Sequence, residues 1–182
     1  MNRPAFLVAA AASALVLATP GLASLAVGAK APDFSTQASL AGKAMPFNLK
    51  AALRKGPVVL YFYPAAFTKG CTIEAHDFAE ATDDFNKMGA TVIGMSADPI
   101  ETLNKFSVEE CRNKFAVGSA TAATIKAYDV ALPIKPDRSN RTSYVIAPDG
   151  KVIFVHSELS PAGHVTGTMA AVKAWRTAHP KG

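Results

Sequence analysis

The sequence predicts a mixed α/β sheet covered by helices on both faces, and three observations carry that reading. The apolar runs over 58–63 and 91–96 are nearly continuous, as in strands buried on both sides. Each is followed by a stretch whose apolar residues recur at helical spacing. Two further apolar runs, 142–147 and 151–156, flank Pro148-Asp149-Gly150, a strong turn signal, and read as a hairpin.

In chain order, residues 1–23 read as an export signal. Arg3 supplies the positive end, the apolar run over 5–18 is shorter than the about 20 residues that span a bilayer, and small residues Gly21 and Ala23 precede Ser24, where cleavage is expected. Removing 23 of 182 residues leaves 159, one ordinary domain over 24–182 with a core large enough to stand without staples. Arg3 is the only charge lost, so 18 basic minus 14 acidic residues leaves +4. The basic residues are scattered and no basic run is interleaved with aromatics, which speaks against nucleic acid as a partner. The expected location is outside the cytoplasm, in the periplasm or beyond, with no stable membrane association once the signal is gone.

After the strand over 58–63, a helix over 71–87 carries Phe78, Ala81, Phe85 and Met88 on one stripe, and Gly89 ends it. The strand over 91–96 leads to Asp98-Pro99, a cap and a first-position proline. The helix that follows turns Ile100, Leu103 and Phe106 inward and is expected to reach about Lys114. Residues 115–117 form a weak strand and 121–128 a short helix. Residues 131–140, with two prolines and several polar side chains, read as a long loop, and a last helix covers 161–178.

Chemistry concentrates where the first buried strand runs through Pro64, Thr68 and Gly70 into Cys71. A strand-to-helix junction exposes backbone N–H groups that favour a thiolate over a thiol. An ordinary thiol is only a few per cent ionised at neutral pH, so full ionisation gains about 30-fold, or about 2 kcal/mol. Fast cleavage of an O–O bond needs donors placed where charge develops as well. Thr68, three residues before Cys71, can place a hydroxyl beside the sulfur; Gly70 permits close approach, and Pro64 fixes the chain as it leaves the strand. The second cysteine, Cys111, lies in the polar run Glu109-Glu110-Cys111-Arg112-Asn113-Lys114, an exposed setting that suits a reactive thiol; structural, catalytic and spectator roles all stay open.

The segment from Pro64 to Cys71 resembles the peroxiredoxin signature of proline, three residues, threonine, two residues and cysteine. Tyr61-Phe62-Tyr63 before it and Thr72-Ile73-Glu74 after it are similar to the bacterioferritin-comigratory (Q-type) branch. Ala31-Pro32-Asp33-Phe34, the strand ending Ser96-Ala97-Asp98, and the hairpin opened by Arg141-Thr142-Ser143 extend the resemblance from about Val27 to the C-terminus. It implies a thioredoxin-like fold with an N-terminal extension, and a thiol peroxidase acting on hydrogen peroxide and organic hydroperoxides. Cys71 would be the attacking residue, Thr68 a hydrogen-bond donor to peroxide and sulfur, and Arg141 the cation beside them. Glu74 would orient Arg141, with Arg138 as the substitute if the loop register differs. Attack gives a sulfenic acid that a second thiol must resolve. His76 occupies the position five residues after Cys71 where many Q-type members carry the second cysteine, which leaves Cys111 as the candidate for that step, with a one-cysteine enzyme resolved by an external thiol as the alternative. A disulfide needs Cα atoms within about 7 Å, so the first turn of the Cys71 helix would have to unwind. A thioredoxin-like or small-thiol reductant would close the cycle; monomer and homodimer both stay open.

Two other classes compete. A copper-handling module would use Cys71, His76 and Met95 as soft ligands, and a disulfide reductase would need Cys-x-x-Cys, which Cys71-Thr72-Ile73-Glu74 lacks. His76, His156, His164 and His179 are not at metal-ligand spacing, and no phosphate loop, haem motif or nicotinamide fingerprint occurs, so no cofactor or metal is expected.

Overall fold

A computed structural model describes residues 24–180, so the export segment expected over 1–23 lies outside the described residues. Strands β1 (Ser35–Leu40) and β2 (Lys43–Asn48) form a hairpin, followed by α1 (Leu49–Leu53), β3 (Val58–Phe62), α2 (Lys69–Lys87), β4 (Thr91–Ser96), α3 (Ile100–Glu109), β5 (Ala116–Ser119) and α4 (Ala122–Ala127). A small hairpin of β6 (Ala131–Leu132) and β7 (Lys135–Ser139) precedes β8 (Thr142–Ile146), β9 (Val152–Ser157) and α5 (His164–Ala178). The main sheet runs β2-β1-β5-β4-β3-β8-β9, with β3, β4 and β5 parallel and the remaining pairs antiparallel. This is the thioredoxin-like arrangement with an N-terminal hairpin added at one edge.

The two faces of β3 explain the layers. Val58, Leu60 and Phe62 point to a core closed by α1 and α4, whereas Val59, Tyr61 and Tyr63 point to one closed by α2, α3 and α5. A strand covered on both sides has no polar face, which is why 58–62 reads as an unbroken apolar run. Phe78 of α2 stacks on Tyr61 with ring centroids 4.3 Å apart, and Phe85 follows at helical spacing. Each such side chain, taken fully out of water, stabilises the fold by about 1.5–3 kcal/mol.

Four expectations are corrected. The loop over 131–140 contains the β6–β7 hairpin, whose strand β6 is only two residues long and whose strand β7 carries Pro136 and no apolar alternation. Helix α5 starts at His164 rather than 161, after Gly163 in the left-handed region. Asp98 does not cap α3; its carboxylate is used elsewhere, and Pro99 takes the cap position without a side-chain bond. Helix α3 stops at Glu109, not Lys114. The Cys111 N–H reaches back to the Phe106 carbonyl, and Arg112 and Asn113 adopt φ of 51° and 60°, a reversal that no helix continues through.

Candidate active site

Tyr63 donates its N–H to the Met95 carbonyl at 3.0 Å, which extends the β3–β4 pairing by one residue before Pro64 ends it. The chain then bends around Asp98. Its Oδ2 accepts from the Ala66 N–H at 2.7 Å and the Ser96 hydroxyl at 2.9 Å, while Oδ1 accepts from Arg138 Nη1 at 2.6 Å. Phe67 takes a left-handed φ of 63° and rests edge-on against Phe106. From there α2 begins, and Cys71 is its third residue, inside the first turn where unpaired N–H groups gather.

Cys71 is 1% exposed and Arg141 4%. Arg141, just ahead of β8, places Nη2 3.5 Å from Cys71 Sγ, donates Nε to the Leu159 carbonyl at 2.9 Å, and pairs through Nη1 with Glu74 Oε2. One guanidinium therefore faces a sulfur, a carboxyl and a carbonyl at once. Gly70 makes room for it, since a Cβ there would lie 2.9 Å from Arg141 Nη2. Burial pushes the Glu74 carboxyl up to about 8, outweighing the opposing pull of Arg141.

Behind Glu74 stands His164, fully buried. Its Nε2 lies 3.0 Å from the Glu158 carbonyl, and its Nδ1 lies 2.8 Å from Ser143 Oγ and 3.5 Å from Glu74 Oε1. Burial, with smaller contributions from His156 and Arg141, lowers His164 to about 4, against the hydrogen bond to Glu158.

The structure thus brings Cys71, Glu74 and Arg141 together as the sequence led one to expect, and alters the other assignments. Thr68 sits at the N-cap of α2, but its exposed hydroxyl donates to the Ala65 carbonyl at 3.0 Å rather than to the sulfur. Arg138 anchors Asp98 instead of substituting for Arg141. Cys111, expected on an exposed helix end, is fully buried on the same side of the sheet as Cys71. Burial raises its thiol far above the usual range, with Glu110 adding to the effect. Both cysteines are free, and no disulfide joins them. Of the soft ligands considered for copper, Met95 packs in the opposite core from Cys71, and His76 pairs with Glu110 at 2.7 Å, so the three do not converge. Sequence reasoning missed His164 and the organising role of Asp98. Neither carries a spacing motif, and only the position of Asp98 directly after a buried strand hinted at a loop anchor.

A single cysteine at a helix start, gripped by a buried guanidinium and without a Cys-x-x-Cys partner, places this protein among thioredoxin-like thiol peroxidases rather than dithiol reductases. Residues 27–155 match the AhpC/TSA family model. The peroxiredoxin Bcp of Xanthomonas campestris is 30% identical over 125 residues, covering 64% of this chain and 76% of its own; Escherichia coli peroxiredoxin Bcp is 30% identical over 120 residues, covering 59% and 72%. The crystal structure of peroxidoxin BcpB from Mycobacterium tuberculosis superposes with a TM-score of 0.72 at 34% identity, over 81% of this chain and 96% of that one. The chain belongs to the AhpC/TSA family and is a peroxiredoxin of the bacterioferritin-comigratory type, a thiol-dependent peroxidase.

Proposed function

We propose that Cys71 is the peroxide-attacking residue and that Cys111 resolves its oxidised form. The contact between Arg141 Nη2 and Cys71 Sγ, at the first turn of α2, carries the first half of this reading. The Cys71 thiolate attacks one peroxide oxygen, the O–O bond breaks, and the departing alkoxide or hydroxide takes up a proton, leaving a sulfenic acid. Arg141 stays against the reacting atoms as charge moves from sulfur to oxygen. Thr68, exposed at the start of α2, is one hydroxyl rotation from offering its hydrogen to peroxide once it leaves the Ala65 carbonyl. Half-buried Pro64 fixes the chain as it leaves β3, and Phe67, 42% exposed beside Ala65 and Ala66, offers an apolar edge suited to organic hydroperoxides as well as hydrogen peroxide.

The sulfenic acid then condenses with the Cys111 thiol, forming a disulfide and water, and a thioredoxin-like or small-thiol reductant reopens it. The segment holding Cys111 lies outside the sheet, and backbone hydrogen bonds from Cys111 and Asn113 return it to the end of α3. It is a tight reversal with two left-handed residues, fastened to α2 by side-chain ion pairs rather than by sheet hydrogen bonds. With residues 1–23 as an export signal, the cycle runs outside the cytoplasm, and the N-terminus of the purified exported protein is expected at Ser24. Mass spectrometry after peroxide treatment tests the assignment. Wild type should carry a Cys71–Cys111 linkage, Cys111→Ser should accumulate Cys71 sulfenic acid, and Cys71→Ser should consume no peroxide. Undiminished activity in Cys71→Ser overturns the first half, and a wild type that accumulates sulfenic acid with no linkage overturns the second.

A further inference from the structure

The site holds one buried cation and two acids. Arg141 faces both Cys71 Sγ and Glu74 Oε2, and all three side chains are buried. Were Cys71 a thiolate and Glu74 a carboxylate together, the cluster would carry a net negative charge out of water, an arrangement that proteins relieve by protonating one member.

The hydrogen-bond pattern shows where that proton belongs. The Glu158 carbonyl can only accept, so His164 Nε2 carries hydrogen; in the neutral ring Nδ1 is then an acceptor, and the Ser143 hydroxyl donates to it. Glu74 Oε1 is buried without any hydrogen-bond partner, and it faces that same Nδ1 at 3.5 Å. Two acceptors facing one another in a dry pocket repel unless a hydrogen lies between them. Placing it on the ring would make an imidazolium beside Arg141 and against His156, whose ring lies 4.5 Å from that of His164. The charged and titratable groups around the pair are Tyr61 from β3, Cys71 and Asp77 from α2, Arg141 ahead of β8, His156 from β9 and His164 from α5. The only full cation among them, Arg141, is already shared between the sulfur and Glu74 Oε2.

Building on the peroxidase reading above, we propose that Glu74 rests as a neutral carboxylic acid with its proton on Oε1, the atom that faces His164 Nδ1, and that it releases this proton when Cys71 is oxidised. In the resting site the whole charge of Arg141 is left to the thiolate. Oxidation turns the thiolate into a neutral sulfenic acid, Arg141 loses its anion, and Glu74 ionises to replace it. The balance is Cys71–S⁻ plus Glu74–COOH plus ROOH giving Cys71–SOH plus Glu74–COO⁻ plus ROH. The two electrons come from sulfur, and the leaving oxygen is protonated at the protein's expense. His164 acts as a positioning residue in this scheme. The burial that raises Glu74 and lowers His164 points the same way.

Single-turnover oxidation of the reduced protein by hydrogen peroxide, in weak buffer near neutral pH with an indicator dye, reads the proton balance directly. Wild type should take up far less than one proton per Cys71 oxidised, and Glu74→Gln one full proton. A full proton in wild type, or none in either protein, overturns the proposal. If Glu74→Gln does not fold, infrared difference spectroscopy on wild type decides: a protonated-carboxyl C=O band should be present in the reduced protein and vanish on oxidation. Its absence from the reduced protein overturns the proposal even where peroxide is consumed. A failure of the peroxidase reading would instead appear as unoxidised Cys71 in the mass spectrum, with the resting carboxyl band still present.

Discussion

At the scale of single residues, the site depends on where one guanidinium points. Arg141 is held at three corners, by Leu159, Glu74 and Cys71, and its head occupies space that exists because Gly70 lacks a side chain. Arg141→Gln should therefore lower the second-order rate with peroxide by about 10²–10³-fold, the usual cost of losing one preorganised donor to developing charge. Gly70→Ala should lower the rate in the same direction but less, because its methyl group only displaces Nη2. Stopped-flow measurement of peroxide consumption by the two variants checks both. A Gly70→Ala enzyme as fast as wild type would show that the guanidinium tolerates displacement. Much of this site was legible beforehand, because Pro64, Thr68, Gly70, Cys71 and Glu74 lie within eleven consecutive residues and Arg141 opens a recognisable strand. His164 was not, since its role comes from the packing of α5 against β8 and β9, a contact between segments that local pattern does not record.

At the scale of elements, the contrast between α2 and the end of α3 sets the surroundings of the two thiols. Helix α2 is regular for nineteen residues and buries Ala75, Phe78 and Phe85 along one stripe, whereas the chain after α3 turns back on itself to bury Cys111 between exposed Arg112, Asn113, Lys114 and Glu109. Alternation of charge led to the expectation of an exposed thiol; the left-handed pair Arg112 and Asn113 turns that one residue inward. Arg112 pairs with Glu80 at 3.1 Å and Lys114 with Asp83 at 2.9 Å, both on the solvent side of α2. Such exposed pairs add little to global stability, but they tie the Cys111 segment to α2 and so hold back the movement that the proposed disulfide requires. Arg112→Ala combined with Lys114→Ala should speed Cys71–Cys111 linkage a few-fold while leaving the rate of sulfenic acid formation unchanged, as rapid-quench mass spectrometry would show. The N-terminal hairpin escaped the sequence reading for a related reason. Its strand β2 is mostly exposed and contains Pro46, as edge strands allow, and its two-residue turn is Ala41-Gly42 rather than an asparagine–glycine pair.

At the scale of the whole molecule, the buried site couples catalysis to stability through pH. The fold class was readable because β3 and β4 are covered on both faces and so leave unbroken apolar runs, and its two-layered core follows from the alternation along β3. A fold that closes so completely over Glu74 also burdens itself with a carboxyl raised from its ordinary range to about 8. The folded state then binds a proton that the unfolded chain releases, so the stability linked to this group is fully present below the unfolded value and is lost as pH rises through about 8. His164, lowered to about 4, acts at the other end: its contribution is complete above the ordinary histidine range and is lost as pH falls toward 4. Glu74→Gln removes the first dependence and keeps the second, because an amide fills the same space without a titrating proton. Denaturant midpoints across pH should therefore fall more steeply for wild type than for Glu74→Gln between about 5 and 8, while the two proteins should weaken in parallel on the acid side. Parallel curves over the whole range would mean that Glu74 titrates alike in the folded and unfolded chain, and that Arg141 compensates its charge in full.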